Sequence, residues 1–344
     1  EKSDARYVLG LCQAGLKQPA EAAATFQALL KDDPQYVGAD KTLYELAWAY
    51  KSLNQPQEAS QTFARLAREY PASPLASESL YHVAEQAYGQ DDFKQAATNY
   101  YEAMQKAGKS DLGEKAAHKL GWAYFRQNLF DKAQQSFAYQ RASFPQGALA
   151  ADAAFMEAES LFKQGKYAES LAVYAQVKNP PGKDFAVLAL LHAGQAEAKL
   201  KQWPKSVALL EQAAKEHPDS DYLPEILYEQ AWARQNLGQA DQALPLYEEV
   251  TAKTDREVAA RARFMIGEIY FEQKNHGEAI KNFFKAAYAY SYPEWQANAH
   301  YEAGRCFEVL GKKDQAKKSY QEVVDKFAQS DKAPLAKQRL EALK

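Results

Sequence analysis

The chain has 344 residues, 47% of them hydrophobic and 25% charged, with 42 Lys plus Arg against 45 Asp plus Glu for a net charge of −3. That is the composition of a folded chain, and charges this balanced argue against a general nucleic-acid binder, which would be basic. No apolar run nears the roughly 20 residues of a membrane span, so no direct membrane span is expected. Two cysteines at opposite ends, Cys12 and Cys306, supply neither a disulfide framework nor a zinc knuckle. The sequence opens at Glu1 without a methionine or an apolar leader and reads as a mature or excised piece whose targeting signal lies outside it.

In chain order the sequence repeats itself. A small residue recurs at Gly10, Ala47, Ala84, Gly121, Ala158, Gly194, Ala231, Gly267 and Gly304, in steps of 37 or 36. Twelve residues after each stands another small one: Ala22, Ala59, Ala96, Ala133, Ser170, Ser206, Ala243, Ala279 and Ala316. Four residues further comes a bulky one: Phe26, Phe63, Tyr100, Phe137, Tyr174, Leu210, Tyr247, Phe283 and Tyr320. Small residues let two helix axes approach, and the bulky side chain one turn later fills the space beside the crossing. Each period therefore predicts an antiparallel helix pair, turned at residues such as Asn54, Asp91, Asn128, Gly165, Gly238 and Gly311. Pro19, Pro56 and Pro204 suit the starts of second helices, and Pro34, Pro71, Pro145 and Pro218 suit their ends.

The periods run over residues 3–38, 40–75, 77–112, 114–149, 151–186, 187–223, 224–259, 260–296 and 297–330, with a cap helix over 332–343 whose apolar stripe is Leu335, Leu340 and Leu343. Length alone predicts about two domains, but stacked repeats predict one solenoid over 1–344. The Pro-Pro-Gly of residues 178–183 is the place for a bend or a rigid turn, and Lys106 to Gly113 is the other glycine-bearing junction.

These columns resemble the tetratricopeptide repeat, W-x2-L-G-x2-Y…A-x3-F…P at a period near 34. The resemblance implies an all-α fold, a right-handed α-α superhelix of about nine helix pairs plus a C-terminal cap helix. The longer period, with segments such as Tyr70-Pro71-Ala72-Ser73-Pro74-Leu75-Ala76, is similar to repeats of bacterial cell-envelope proteins: the periplasmic Tol–Pal-associated coordinator and, more loosely, the barrel-assembly lipoprotein. That likeness implies a non-catalytic adaptor in the periplasm or cell envelope. A cytoplasmic adaptor, the recognition arm of a larger enzyme and a self-associating rod are the alternatives, with end-to-end self-association also open.

No catalytic residues, cofactor or metal site are expected, because no convergent set of reactive groups has recognisable spacing. The six histidines, His82, His118, His192, His217, His276 and His300, are never three or four residues apart. Cys12 and Cys306 share one column, and both are expected to be buried. The family resemblance places first helices on the concave side, where a protein or peptide partner would lie. Tyr44, Tyr81 and His118 stand three residues before the small step, a column whose plainer role is to pack between neighbouring helices and keep the stack tight. One turn on stand Trp48, Trp122 and Trp232, and the next turn brings Tyr88, Phe125, Phe162 and Phe271. These later aromatics are the expected partner contacts, strongest in repeats two to five. The lysine–asparagine clamp of chaperone-type arrays is missing from these columns, as is an asparagine ladder.

Overall fold

A computed structural model describes residues 1–177 and 183–343. Among the described residues there are nineteen α-helices and no strand. The chain divides into two compact units, Glu1–Pro181 and Gly182–Lys344. The bend expected over 178–183 falls on residues 178–182, outside the described residues.

The N-terminal unit holds five helix pairs: α1 (Lys2–Gly15) with α2 (Pro19–Asp32), α3 (Ala39–Ser52) with α4 (Pro56–Glu69), α5 (Ala76–Gly89) with α6 (Phe93–Ala107), α7 (Asp111–Arg126) with α8 (Phe130–Ser143), and α9 (Ala150–Lys163) with α10 (Tyr167–Tyr174). The C-terminal unit holds four pairs and a last helix: α11 (Lys183–Lys199) with α12 (Trp203–Glu216), α13 (Leu223–Asn236) with α14 (Ala240–Lys253), α15 (Glu257–Glu272) with α16 (His276–Ala289), α17 (Pro293–Val309) with α18 (Lys313–Lys326), and α19 (Lys332–Ala342).

The three sequence columns form the core of every pair. The bulky column is almost wholly enclosed, from Phe26 to Tyr320. Burying each such side chain contributes about 1.5–3 kcal/mol. The glycines of the small column lie directly under these rings. A Cβ at Gly121, Gly267 or Gly304 would stand 2.6 Å from the ring of Phe137, Phe283 or Tyr320, and one at Gly194 would stand 2.6 Å from Leu210. The close approach therefore comes from the missing side chain itself.

Each hairpin turns in the same way. One residue per repeat is left-handed, with φ between 57° and 77°: Lys17, Asn54, Asp91, Asn128, Gly165, Lys201, Gly238, Lys274 and Gly311. The next residue's N–H bonds back five residues into the first helix, as Gln55 does to Tyr50 and Asn275 to Tyr270. This closes the orphan carbonyls of the helix end. Gly, Asn and Asp adopt that conformation readily; the lysines at 17, 201 and 274 were not recognisable as turn residues from their type.

Two expectations need correction. In α19, Ala333 and Ala336 are the buried contacts and Leu340 and Leu343 pack partly, whereas Leu335 is exposed. Cys306 is fully buried and burial pushes its thiol up to about 12, but Cys12 is exposed. The column is the same; α17 is covered by α16, while within this structure no helix precedes α1.

Candidate partner-binding face

First helices touch one another along each stack. In the N-terminal unit α1 meets α3 and α5 meets α7; in the C-terminal unit α11, α13, α15, α17 and α19 meet in succession. Second helices pack on the first helices either side of them and not comparably on each other. Each stack therefore curves toward its first helices, whose free face is the inner one.

The column of Tyr44, Tyr81 and His118 turns inward. Tyr44 lies edge-on to Phe63 at 5.8 Å between ring centroids, Tyr81 to Tyr100 at 5.6 Å and His118 to Phe137 at 5.7 Å. The same pairing recurs for Tyr228 with Tyr247 and Tyr301 with Tyr320, so this column tightens the hairpin throughout. Tyr44 and Tyr81 are half-buried. His118 is only 7% exposed and is no surface contact. Its Nδ1 lies 3.1 Å from Gln140 Oε1, and its Nε2 is 3.0 Å from Trp122 Nε1 and 3.2 Å from Asp152 Oδ2.

The tryptophans are half-buried rather than free. Trp48 meets Phe63 at 6.2 Å and the His82 ring of the next repeat at 5.0 Å, and Lys51 Nζ sits 4.4 Å over it. Trp122 lies edge-on to Phe137 and Phe125. Trp232 lies perpendicular to Trp203, 5.2 Å away. The third column closes corners: Tyr88 on Phe93, Phe125 on Phe130, Phe162 on Tyr167 and Phe271 on His276 are all 5.1–5.3 Å apart.

Acids that the aromatic pattern left aside complete the face. Along α3, α5, α7 and α9 one column alternates Trp48, Glu85, Trp122 and Glu159. Glu85 accepts the Tyr100 hydroxyl and pairs with Lys119 at 3.1 Å, and Glu159 accepts the Tyr174 hydroxyl. Tyr247 donates to Gln235 at 3.1 Å and Tyr320 to Glu308 at 2.5 Å. Burial raises all four phenols, and the carboxylates beside them hold their protons more firmly still. Each tyrosine of the core column thus has an acceptor on its first helix, a partnership readable from the sequence once the buried hydroxyl's acceptor is asked for.

In the C-terminal unit the face is charged. Buried Glu302 binds Arg305 at 2.7 Å and Lys332 at 3.7 Å, and Arg305 lies 5.1 Å over Phe271. Glu268 keeps one buried oxygen without a hydrogen-bond partner. Burial, reinforced by the Glu302 charge, pushes its carboxyl up to about 7. Arg261 stacks 4.3 Å over Tyr228. Among the described residues no three His, Cys, Asp or Glu side chains gather as a metal site, and no helix is long and apolar enough to cross a membrane. A recess of about 140 Å³ opens where α3, α4 and α5 meet, lined by Lys51, Pro56, Ser60, Phe63, His82 and Glu85.

The architecture defines a helix-hairpin solenoid. Tetratricopeptide-repeat family models match residues 13–80, 118–184, 188–220, 228–294 and 298–330, most of the chain. The chain belongs to the tetratricopeptide-repeat family, whose members generally serve as non-catalytic protein-interaction scaffolds. The apo crystal structure of RapI matches with a TM-score of 0.54 at 12% identity, covering 99% of both chains, and shares the fold. A tetratricopeptide repeat protein from Parabacteroides merdae is similar at TM-score 0.48 and 16% identity, covering 72% of this chain and 91% of its own. Pseudomonas aeruginosa PilF gives 0.42 and 17%, covering 66% and 97%. A search of curated proteins finds no match.

Proposed function

We propose that this chain is a non-catalytic adaptor that holds a partner polypeptide on the inner, first-helix face of its N-terminal unit. The observation that carries the reading is the partly open surface of Trp48 and Trp122, with Lys51 over Trp48 and a side-chain-sized recess between Lys51 and His82. Aromatics anchored on one edge and open on the other give apolar contact at small entropic cost. Glu85, held by the core Tyr100, lies between them as a fixed polar point. A peptide that reads this face alternates apolar and polar side chains. The cell envelope is the proposed setting, supported by the 36–37-residue period and its likeness to envelope repeats.

Peptides selected from a displayed library on the whole chain test the reading. Their affinity should fall at least tenfold with Trp48→Ala and Trp122→Ala, and measurably with Lys51→Ala, which is exposed and cannot unfold the chain. Selected peptides that bind all three variants as well as the parent would end the proposal. Fractionation of the native protein checks the envelope assignment separately, and recovery in the cytoplasm would remove it.

A further inference from the structure

His118 stands where α7, α8 and α9 meet, and its two ring nitrogens have three claimants. On one side Nδ1 lies 3.1 Å from Gln140 Oε1, and Gln140 Nε2 donates to the Leu149 carbonyl at 3.4 Å. Gln140 therefore faces the ring with its oxygen, and Nδ1 carries the proton that this oxygen accepts. On the other side Trp122 Nε1 donates to Nε2 at 3.0 Å, a bond that Nε2 accepts only through its lone pair. That tautomer leaves Asp152 facing the same lone pair. Its Oδ2 is 3.2 Å from Nε2, and its Oδ1 is buried with no hydrogen-bond partner. The carboxylate is held beside a nitrogen that has no proton to offer it.

We infer that His118 is a proton-operated catch on Trp122. One proton taken up at Nε2 turns that nitrogen from acceptor to donor. The new N–H bonds Asp152 Oδ2, and the Trp122 N–H loses its acceptor. Nδ1 keeps its bond to Gln140 in both forms, so the ring stays where it is. The cation prefers Asp152 because a charge-assisted bond is the stronger one. The other charged groups around the ring are committed elsewhere. Glu114, one turn earlier on α7, accepts the Leu149 N–H at 3.0 Å, Lys119 pairs with Glu85 of α5 at 3.1 Å, and Arg141 of α8 pairs with Glu157 of α9. Phe137 of α8 lies edge-on to the ring, and α6 packs on α7 through the apolar Ala116, Ala117 and Leu120. His118 is the one imidazole of its column, which is otherwise Tyr, Phe or Leu. The inference rests on the reading of Trp122 as a partner anchor and adds its regulation: the anchor is held while His118 is neutral and freed when it is charged.

The exchange is read on the whole chain with no partner present. Nuclear magnetic resonance follows the Trp122 indole N–H and the His118 ring nitrogens from about pH 8 to about pH 5, the range in which imidazole ordinarily changes charge. The expected result is one transition, the indole signal moving with the same midpoint as the imidazole. His118→Gln sets an amide oxygen near the position of Nε2, an acceptor that does not titrate, and should hold the indole signal constant. Asp152→Asn, at a partly exposed residue, removes the charge that the cation turns to and should shift the transition to lower pH. A peptide bound through Trp122 should lose several-fold in affinity across the same range with the parent and not with His118→Gln. An indole signal that stays constant while His118 titrates, a His118 ring that stays neutral throughout, or a transition that survives His118→Gln would each overturn the inference. The two readings fail separately. Loss of the indole transition leaves the anchor to be judged by Trp122→Ala, whereas a peptide indifferent to Trp122→Ala ends the anchor and leaves the proton exchange standing.

Discussion

Lys274→Gly is a substitution that loses a side chain and should stabilise the protein. Lys274 is exposed and sits at φ 61° in the turn between α15 and α16. Holding a residue with a Cβ in the left-handed region costs about 1–2 kcal/mol. Glycine removes that cost but adds about 0.5–1 kcal/mol of chain entropy lost on folding. The net expectation is a gain of about 0.5–1 kcal/mol. Gly238→Ala, at φ 74° in the equivalent turn, runs the same term backwards and should destabilise by about 1 kcal/mol. Gly89→Ala separates conformation from helix propensity: Gly89 ends α5 at an ordinary φ with nothing within 4 Å of an added Cβ. It should stabilise by about 0.5–1 kcal/mol through propensity alone. Repeat arrays need not unfold in one step, so native-state hydrogen exchange of the two helices flanking each substituted residue is the assay, with urea melts beside it. If Lys274→Gly destabilises, or if Gly238→Ala and Gly89→Ala move in the same direction, the left-handed account of these turns is wrong.

Glu268 gives the chain a pH dependence. Its carboxyl is raised to about 7 in the fold against 4.5 ordinarily, so between those values the native state keeps a proton that the unfolded chain has lost. That contribution makes stability fall as pH rises through this window and stay reduced above it. Glu268→Gln should stabilise the C-terminal unit by about 1–3 kcal/mol at pH 8 and change little at pH 4.5; thermal melts at both pH values check this, and an equal gain at each would refute it. Glu85→Ala should cost about 1–3 kcal/mol by leaving the enclosed Tyr100 hydroxyl without its acceptor, and Tyr100→Phe should cost about 1 kcal/mol. The double variant should cost less than the sum of the two, and strict additivity in urea denaturation would deny the coupling.

The fold was legible because its determinants are local and repeated. The enclosed rings from Phe26 to Tyr320 and the glycines beneath them occupy fixed offsets, and every period carries the same offsets again. The face was less legible because exposure depends on residues one repeat away. Trp48 loses part of its surface to His82, 34 residues on, and Trp122 is held by His118, which the helical spacing had offered as a contact. End effects are likewise invisible in a column. Cys12 and Cys306 hold the same position, and only the presence of a covering helix separates an exposed thiol from an enclosed one.

Core and face are not independent in this array. Phe63 lies under Trp48 and Phe137 under Trp122, whereas Tyr100 and Tyr174 reach out to Glu85 and Glu159. In repeats two to five the alternation of tryptophan and glutamate on the first-helix face is thus matched by an alternation of phenylalanine and tyrosine beneath it. A buried phenol demands an acceptor, because an orphaned hydroxyl costs about 1–3 kcal/mol, and the first helix is the element that supplies it. Phenylalanine makes no such demand and leaves the position above it open to a large apolar side chain. Under the proposed function, the spacing of the anchors offered to a partner is therefore set partly inside the hairpins. Replacing Glu85 or Glu159 by an apolar residue therefore requires replacing Tyr100 or Tyr174 by phenylalanine with it.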